Sequence, residues 1–271
     1  MVLGSHEIAT GAVYPELSSN IHFVEHFDPP DHWVKGIGLD HGLNNPTAYV
    51  LGAKFPEPYE GIYIYDEYQV KDLIVSQHVK DIKKVLTSQF KCFAIDPETK
   101  KREPISLATV IGEYNALGVP FRVSSRDRVA GVNRIKEYLA YDPTLRHPLT
   151  NELGAPRLFI SERCHMLREQ LERYKKEEQK TGRGSQDPPE KFSEYMVHIA
   201  DALRYLVMRF TNPLTAKSNV KGFEKEQLTS RYIKPQENDL LDDNGNFSLA
   251  KDIERSHKIQ RSHGATTWMT A

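Results

Sequence analysis

The sequence predicts a mixed α/β fold, in which a sheet starts as an antiparallel meander, continues in parallel strands and carries helices on both faces. Two observations point there. β-Branched and aromatic runs crowd the first third, KGIGLD, PTAYVLGAKF and GIYIYDEYQV, the last two divided by the Pro/Gly-bearing EPYEG. Beyond them, short apolar runs alternate with stretches of helical spacing. Early hairpins followed by strand–helix alternation make a mixed sheet with two covered faces.

Taken in order, MVLGSH (1–6) reads as a cloning remnant and 7–34 as a lead-in, with Pro29 and Pro30 just ahead of the first clear strand at Lys35. After the three-strand meander, SQHVKDIKKVLTSQF places Val79, Ile82, Val85 and Leu86 at helical spacing. KCFAIDPE is again a strand running into an acid, closed by Pro97. Leu107, Val110, Ile111, Tyr114 and Leu117 mark a helix that stops at Gly118. VPFRVSS reads as a strand, and Val132, Ile135 and Leu139 mark another helix. RLFIS is a last short strand before a charged helix ending near Tyr174. Residues 175–191 hold two glycines and two prolines in polar sequence, the composition of a long loop. A helix from Ser193 to Phe210 follows, and 212–271 is a polar, aperiodic tail. The expected organisation is one domain over 35–211 between the lead-in and the tail.

At 271 residues the chain can bury a full core. A net charge of -1, from 36 Lys+Arg against 37 Asp+Glu, argues against a constitutive nucleic-acid coat. It leaves a nuclease open, because metal-binding acids offset a basic rim. Cys92 and Cys164 lie too far apart for a CxxC pair and read as buried free thiols of a reducing compartment. No apolar run approaches the roughly 18 residues of a membrane span, and a soluble intracellular protein without a membrane partner is expected.

The acids carry the functional signal. Asp40 ends the first strand, two residues before Gly42, and Asp96 ends a later one. Both strands are apolar inside, so both acids emerge at sheet ends, where ligands of such sheets gather. Asp201 lies in VHIADALRYL, where Met196, Ile199, Leu203, Leu206, Val207 and Phe210 form an apolar face and Glu194, His198, Asp201 and Tyr205 a polar stripe. Taken alone, such a stripe fits a solvated face, and a lone strand-end Asp fits a turn cap. Together the three suit another task. Phosphodiester cleavage needs a positioned water, charge neutralisation and a stabilised leaving oxygen; two hard cations roughly 4 Å apart provide all three, held by three or four carboxylates. Asp ligands suit Mg²⁺ or Mn²⁺.

GIGLDHGLNNPTAYVL, the strand acid in AIDPE and the late HIADALRYL resemble the nuclease domains of large terminase subunits of tailed bacteriophages, within the ribonuclease H/integrase-like superfamily. DALRY is the most specific piece and GLDHG with NNP the next; the lead-in GAVYPEL…HFDPPDHW resembles the segment joining that family's ATPase to its nuclease. The resemblance spans roughly residues 10–210. It implies a ribonuclease H-like fold, Asp40, Asp96 and Asp201 as metal-binding and catalytic acids, and His198 as an auxiliary catalytic residue. Mg²⁺ or Mn²⁺, bound as two ions, is the implied cofactor. It further implies a low-specificity endonuclease on double-stranded DNA. The implied partners are a terminase ATPase domain, a small terminase subunit and a portal protein, in the host cell cytoplasm.

Glu67 reads as a charge on an exposed strand face or a further ligand, and Lys191 as a solvated lysine or a phosphate contact. His41 stands where the family often has an aromatic or proline. No G-x-x-x-x-G-K-[ST] loop occurs, so ATP hydrolysis is expected elsewhere. Arg122, Arg126, Arg128 and Arg134 read as solvated surface or as contacts to DNA backbone. A Holliday-junction resolvase or transposase-like nuclease of the same fold, and a non-catalytic docking module for portal or packaging partners, are the alternatives.

Overall fold

The computed structural model describes residues 11–42, 45–101, 109–175 and 197–211. Strand alternation and two packed faces organise them. The lead-in supplies a helical turn, α1 (Ser19–His22), and a short strand, β1 (Phe23–Val24). Then β2 (Lys35–Asp40), β3 (Thr47–Lys54) and β4 (Ile62–Val70) pair antiparallel as the expected meander. α2 (Val75–Val85) leads to β5 (Phe90–Ile95), which lies parallel to β2 with Leu39 opposite Ile95. α3 (Val110–Ala116), β6 (Arg122–Val123) and α4 (Arg128–Leu139) follow, then a hairpin of β7 (Asp142–Arg146) and β8 (Leu153–Ala155). The chain returns through β9 (Leu158–Ser161), α5 (His165–Arg173) and α6 (His198–Phe210).

The main sheet runs β1–β9–β4–β3–β2–β5–β6, an antiparallel centre flanked by parallel pairs, with helices on both faces. This is the mixed sheet with two covered faces that the sequence predicts, in the ribonuclease H-like arrangement that the resemblance implies. Part of the lead-in belongs to the sheet: β1 pairs parallel with β9 at its edge. The β7–β8 hairpin has no counterpart among the expected elements, because DPTLR is mostly exposed, LGA is only three residues long, and neither shows alternation. α3 is described from Val110, so Leu107 lies outside the described residues. So do 1–10, Lys191, the first residues of the expected last helix (193–196), the tail 212–271 and all of 175–191 except Lys175, which bridges Ala12.

Two apolar layers sandwich the sheet. Ile37, Leu39, Tyr49 and Leu51 face α2 and α3, packing with Val79, Ile82 and Tyr114. Ala48, Val50, Ile62 and Ile64 face the other way, against α4, α5 and α6. α6 is buried nearly all round: Ile199, Leu203, Leu206, Val207 and Phe210 sit in the core, and Arg204 and Tyr205 are buried as well. At roughly 1.5–3 kcal/mol per large apolar side chain, α6 is a principal stabilising element.

Glycines set how deep α6 sits. Gly36 and Gly38 are two apart in β2 and share the α6 face. A Cβ at Gly38 would lie 2.2 Å from the Ala202 carbonyl oxygen, and one at Gly36 would lie 2.5 Å from the Phe210 ring. Gly52 of β3 does the same for Leu206, at 2.8 Å. Only a strand without side chains lets the helix backbone approach this closely.

Candidate active site

The period of two carries the first acids to one place. Gly36, Gly38 and Asp40 share the face of β2 that meets α6; Cys92 and Ala94 share that face of β5, and Asp96 follows in step. Because β2 and β5 are parallel neighbours, the two acids emerge at the same end of the sheet, with the Asp96 N–H donating to the Leu39 carbonyl at 3.1 Å. α6, seated in the glycine trough, brings His198 and Asp201 over that end. The structure therefore gathers Asp40, Asp96, Asp201 and His198, the four residues singled out from sequence.

Their surroundings differ. Asp40 Oδ2 lies 3.0 Å from His198 Nδ1, with Asp40 only 13% exposed. Burial pushes the Asp40 carboxyl up to about 6; the His198 hydrogen bond opposes this, while the charges of Asp201 and Asp96 add to it. His198 is raised in turn, chiefly by its hydrogen bond to Asp40. Asp96 is also raised, by burial first, against the Glu98 N–H (2.9 Å) and the Tyr205 hydroxyl that both donate to it. Asp201 accepts from Arg204 Nε at 3.0 Å and from Arg128 Nη2 at 3.2 Å. Over its described residues, His198, Asp201 and Tyr205, the stripe on α6 is thus not a solvated face: it looks toward Asp40, Asp96 and the two arginines.

α6 lacks an N-cap side chain of its own. Gln170 of α5 takes that role, its Oε1 accepting from the N–H groups of Ile199 (2.9 Å) and Ala200 (3.3 Å). Its Nε2 is held by Gln69 at 3.1 Å.

Glu67 is half-buried rather than an exposed strand charge, and the charges that act on it are those of His165 and Asp66. Its two oxygens accept from the N–H groups of Met166 (2.8 Å) and Leu167 (2.7 Å), in the first turn of α5. Among the arginines, Arg122 and Arg126 are exposed, Arg134 pairs with Glu137, and Arg128 points into the site. His41 lies on the opposite face, against Thr47 and Tyr114, each at 3.2 Å. Sequence reasoning assigns no site role to Arg204 or Gln170; it leaves Arg128 as solvated surface or a contact to DNA backbone, and Tyr205 as a stripe residue. Arg204 and Tyr205 lie inside DALRY, so that signature holds part of the signal.

The donor set suits a hard cation. Three carboxylates share one end of the sheet, and burial with mutual repulsion raises two of them, a tension that a dication relieves. Among the described residues, no three His, Cys, Asp or Glu side chains stand close enough to hold an ion as placed. Asp201 is turned onto two arginines, one on each oxygen, and Asp40 onto His198 through one oxygen, so ligation by Asp201 requires at least one oxygen to be released. Among the described residues, no helix is long and apolar enough to cross a membrane.

No protein-family model matches the chain, and no curated protein matches it. Solved structures do. The large terminase of a thermophilic bacteriophage aligns at a TM-score of 0.56 and 20% identity, over 76% of this chain and 47% of that one. The nuclease domain of the P22 large terminase aligns at 0.55 and 14% identity, over 74% and 93%. More distant is the nuclease domain of the large terminase from bacteriophage SPP1 with bound Mn, at 0.44 and 16%, over 64% and 84%. The chain spans about half the length of the thermophilic phage's large terminase. Its fold is that of the nuclease domains of phage large terminases.

Proposed function

We propose that this chain is a metal-dependent endonuclease domain that cuts double-stranded DNA with little sequence preference, as the nuclease part of a viral DNA-packaging terminase. The observation that carries this is the convergence of Asp40, Asp96 and Asp201 from β2, β5 and α6 onto one end of one sheet face. Asp40, Asp96 and Asp201 would hold Mg²⁺ or Mn²⁺, with two ions as the full complement. Bound divalent ions supply charge neutralisation and Lewis acidity to phosphodiester hydrolysis. His198 fixes one Asp40 oxygen and holds a proton at the edge of the site. The Tyr205 hydroxyl and the Glu98 N–H keep Asp96 in place. On this reading the wider partners are a terminase ATPase domain, a small terminase subunit and the portal, in the cytoplasm of the infected host.

Plasmid cleavage by the purified chain tests the reading, with Mg²⁺, Mn²⁺ or EDTA and with Asp40→Ala in parallel. Cleavage that needs the metal and vanishes in the variant is expected. Full metal-dependent cleavage by Asp40→Ala would overturn it.

A further inference from the structure

Asp201 is shared by two arginines that are held very differently. Arg204 is locked in place. Its side chain is 6% exposed, and its guanidinium lies 4.4 Å from the centre of the Tyr205 ring. Its stem passes over Gly131 of α4, where a Cβ would come within 2.6 Å of Arg204 Cγ. A glycine inside a helix is destabilising relative to alanine, so α4 gives up stability to make room for this side chain. Arg128 is the looser partner. It opens α4, its side chain is 26% exposed, and its charge also acts on Tyr174.

Two guanidinium groups more than neutralise Asp201, so this carboxylate offers a dication little attraction while both are in place. Both Asp201 oxygens are already accepting hydrogen bonds, so a cation must compete for each. A phosphodiester carries the opposite charge, and its oxygens match a guanidinium in geometry as well.

We propose that Arg128 is an exchangeable counter-ion: it occupies Asp201 while no DNA is bound and passes to a DNA phosphate when substrate arrives, freeing Asp201 Oδ2. This rests on the nuclease reading and deepens it. Only hydrogen bonds change hands, the Nη2–H of Arg128 leaving a carboxylate oxygen for a phosphate oxygen, while Arg204 keeps Asp201 oriented throughout. The consequence is reciprocal linkage: DNA strengthens cation binding and the cation strengthens DNA binding by the same factor. An exposed acid cluster would collect divalent ions without DNA; this one is guarded until there is something to cut.

The test uses the whole chain, with Arg128→Gln and Arg128→Lys as variants and thermal melts to establish folding. Mn²⁺ binding without DNA is read by electron paramagnetic resonance. Binding of a fluorescent duplex is read by anisotropy in EDTA and in Ca²⁺. Arg128→Gln is expected to bind Mn²⁺ about fivefold more tightly than the wild type without DNA, and to lose most of the gain in duplex affinity that Ca²⁺ gives. Arg128→Lys, with its charge kept but its fork lost, is expected to fall between. Equal or weaker Mn²⁺ binding by both variants, with the wild type binding normally, overturns the exchange and makes Arg128 a structural support of Asp201. Failure of the wild type and both variants alike to bind Mn²⁺ overturns the nuclease reading instead, and the exchange with it.

Discussion

Glu67 and Asp40 are acids of the same meander, both partly buried, and they have opposite surroundings. Glu67 on β4 receives two backbone N–H groups at the start of α5, where the helix dipole favours a negative charge. Its oxygens are satisfied and it holds two elements together. Asp40 on β2 is raised first by burial, is offered one histidine, and is crowded further by the charges of Asp201 and Asp96. Nothing in the residue type separates the two; the partners do. Burial raises both carboxyls; helix N–H groups oppose that rise at Glu67, whereas neighbouring carboxylates add to it at Asp40 until a cation or proton arrives. Substitutions at the two positions should therefore push stability and activity in opposite directions.

The largest effect is expected at Asp40. Asp40→Asn keeps the shape and an acceptor for His198 but removes the charge, so metal-dependent cleavage should fall by more than about a hundredfold, the upper end of what is lost with a ligand's supporting partner. The same substitution should stabilise the metal-free fold. Folding raises the Asp40 carboxyl from about 3.8 to about 6, so folding favours its protonated form. That contribution is complete below about pH 4 and is lost as pH rises through 6, whereas asparagine is neutral throughout. In EDTA at pH 8, Asp40→Asn should gain on the order of 2 kcal/mol over the wild type, and the gap should close toward pH 4. Denaturant melts across that range check this. A variant less stable than the wild type at pH 8 would remove the claim of strain.

Glu67→Ala provides the opposite arm. Two N–H groups at the start of α5 lose a charged acceptor, at a cost of about 2 kcal/mol and a fall in melting temperature of about 5 °C for a domain of this size. Mn²⁺ affinity and cleavage, measured well below the melting temperature, should change less than about threefold. A loss of metal binding comparable to that of Asp40→Asn would restore Glu67 as a ligand and dissolve the contrast.

The extent to which this contrast is legible in the sequence follows from the range of each signal. Strand period is local, and it puts Asp40 and Asp96 beyond apolar runs on one face, which is why both can be named from the chain alone. The helical pattern around Asp201 is equally local. Whether its polar stripe faces water or the site depends on α6 lying in a trough of Gly36, Gly38 and Gly52, and those glycines express a contact with residues more than 150 positions away. Arg128 reads from sequence as surface or as a DNA contact, because its partner Asp201 is 73 residues distant and a long side chain can turn either way. Glu67 stays undecided for a similar reason: its donors belong to a helix about 100 residues later. The β7–β8 hairpin escapes a sequence reading because it buries little and so leaves no apolar pattern.

The smallest effect, and the one that ties the two regions together, is expected at Gln170. Glu67 starts α5; Gln170 of α5 starts α6; and α6 carries His198 and Asp201. A neutral amide oxygen contributes less than a carboxylate, so Gln170→Leu should cost only about 1 kcal/mol, less than Glu67→Ala. Its consequence for function should nevertheless be the greater of the two. Releasing the Ile199 and Ala200 N–H groups loosens the first turn of α6, where a small shift moves His198 off Asp40 and Asp201 away from the strand ends. A several-fold loss of Mn²⁺ affinity in Gln170→Leu is therefore expected. Stability and metal affinity measured on both variants decide the matter. If Gln170→Leu loses stability without losing affinity, the first turn of α6 is held by packing alone, and the chain of helix starts from β4 to the acids has no bearing on the site.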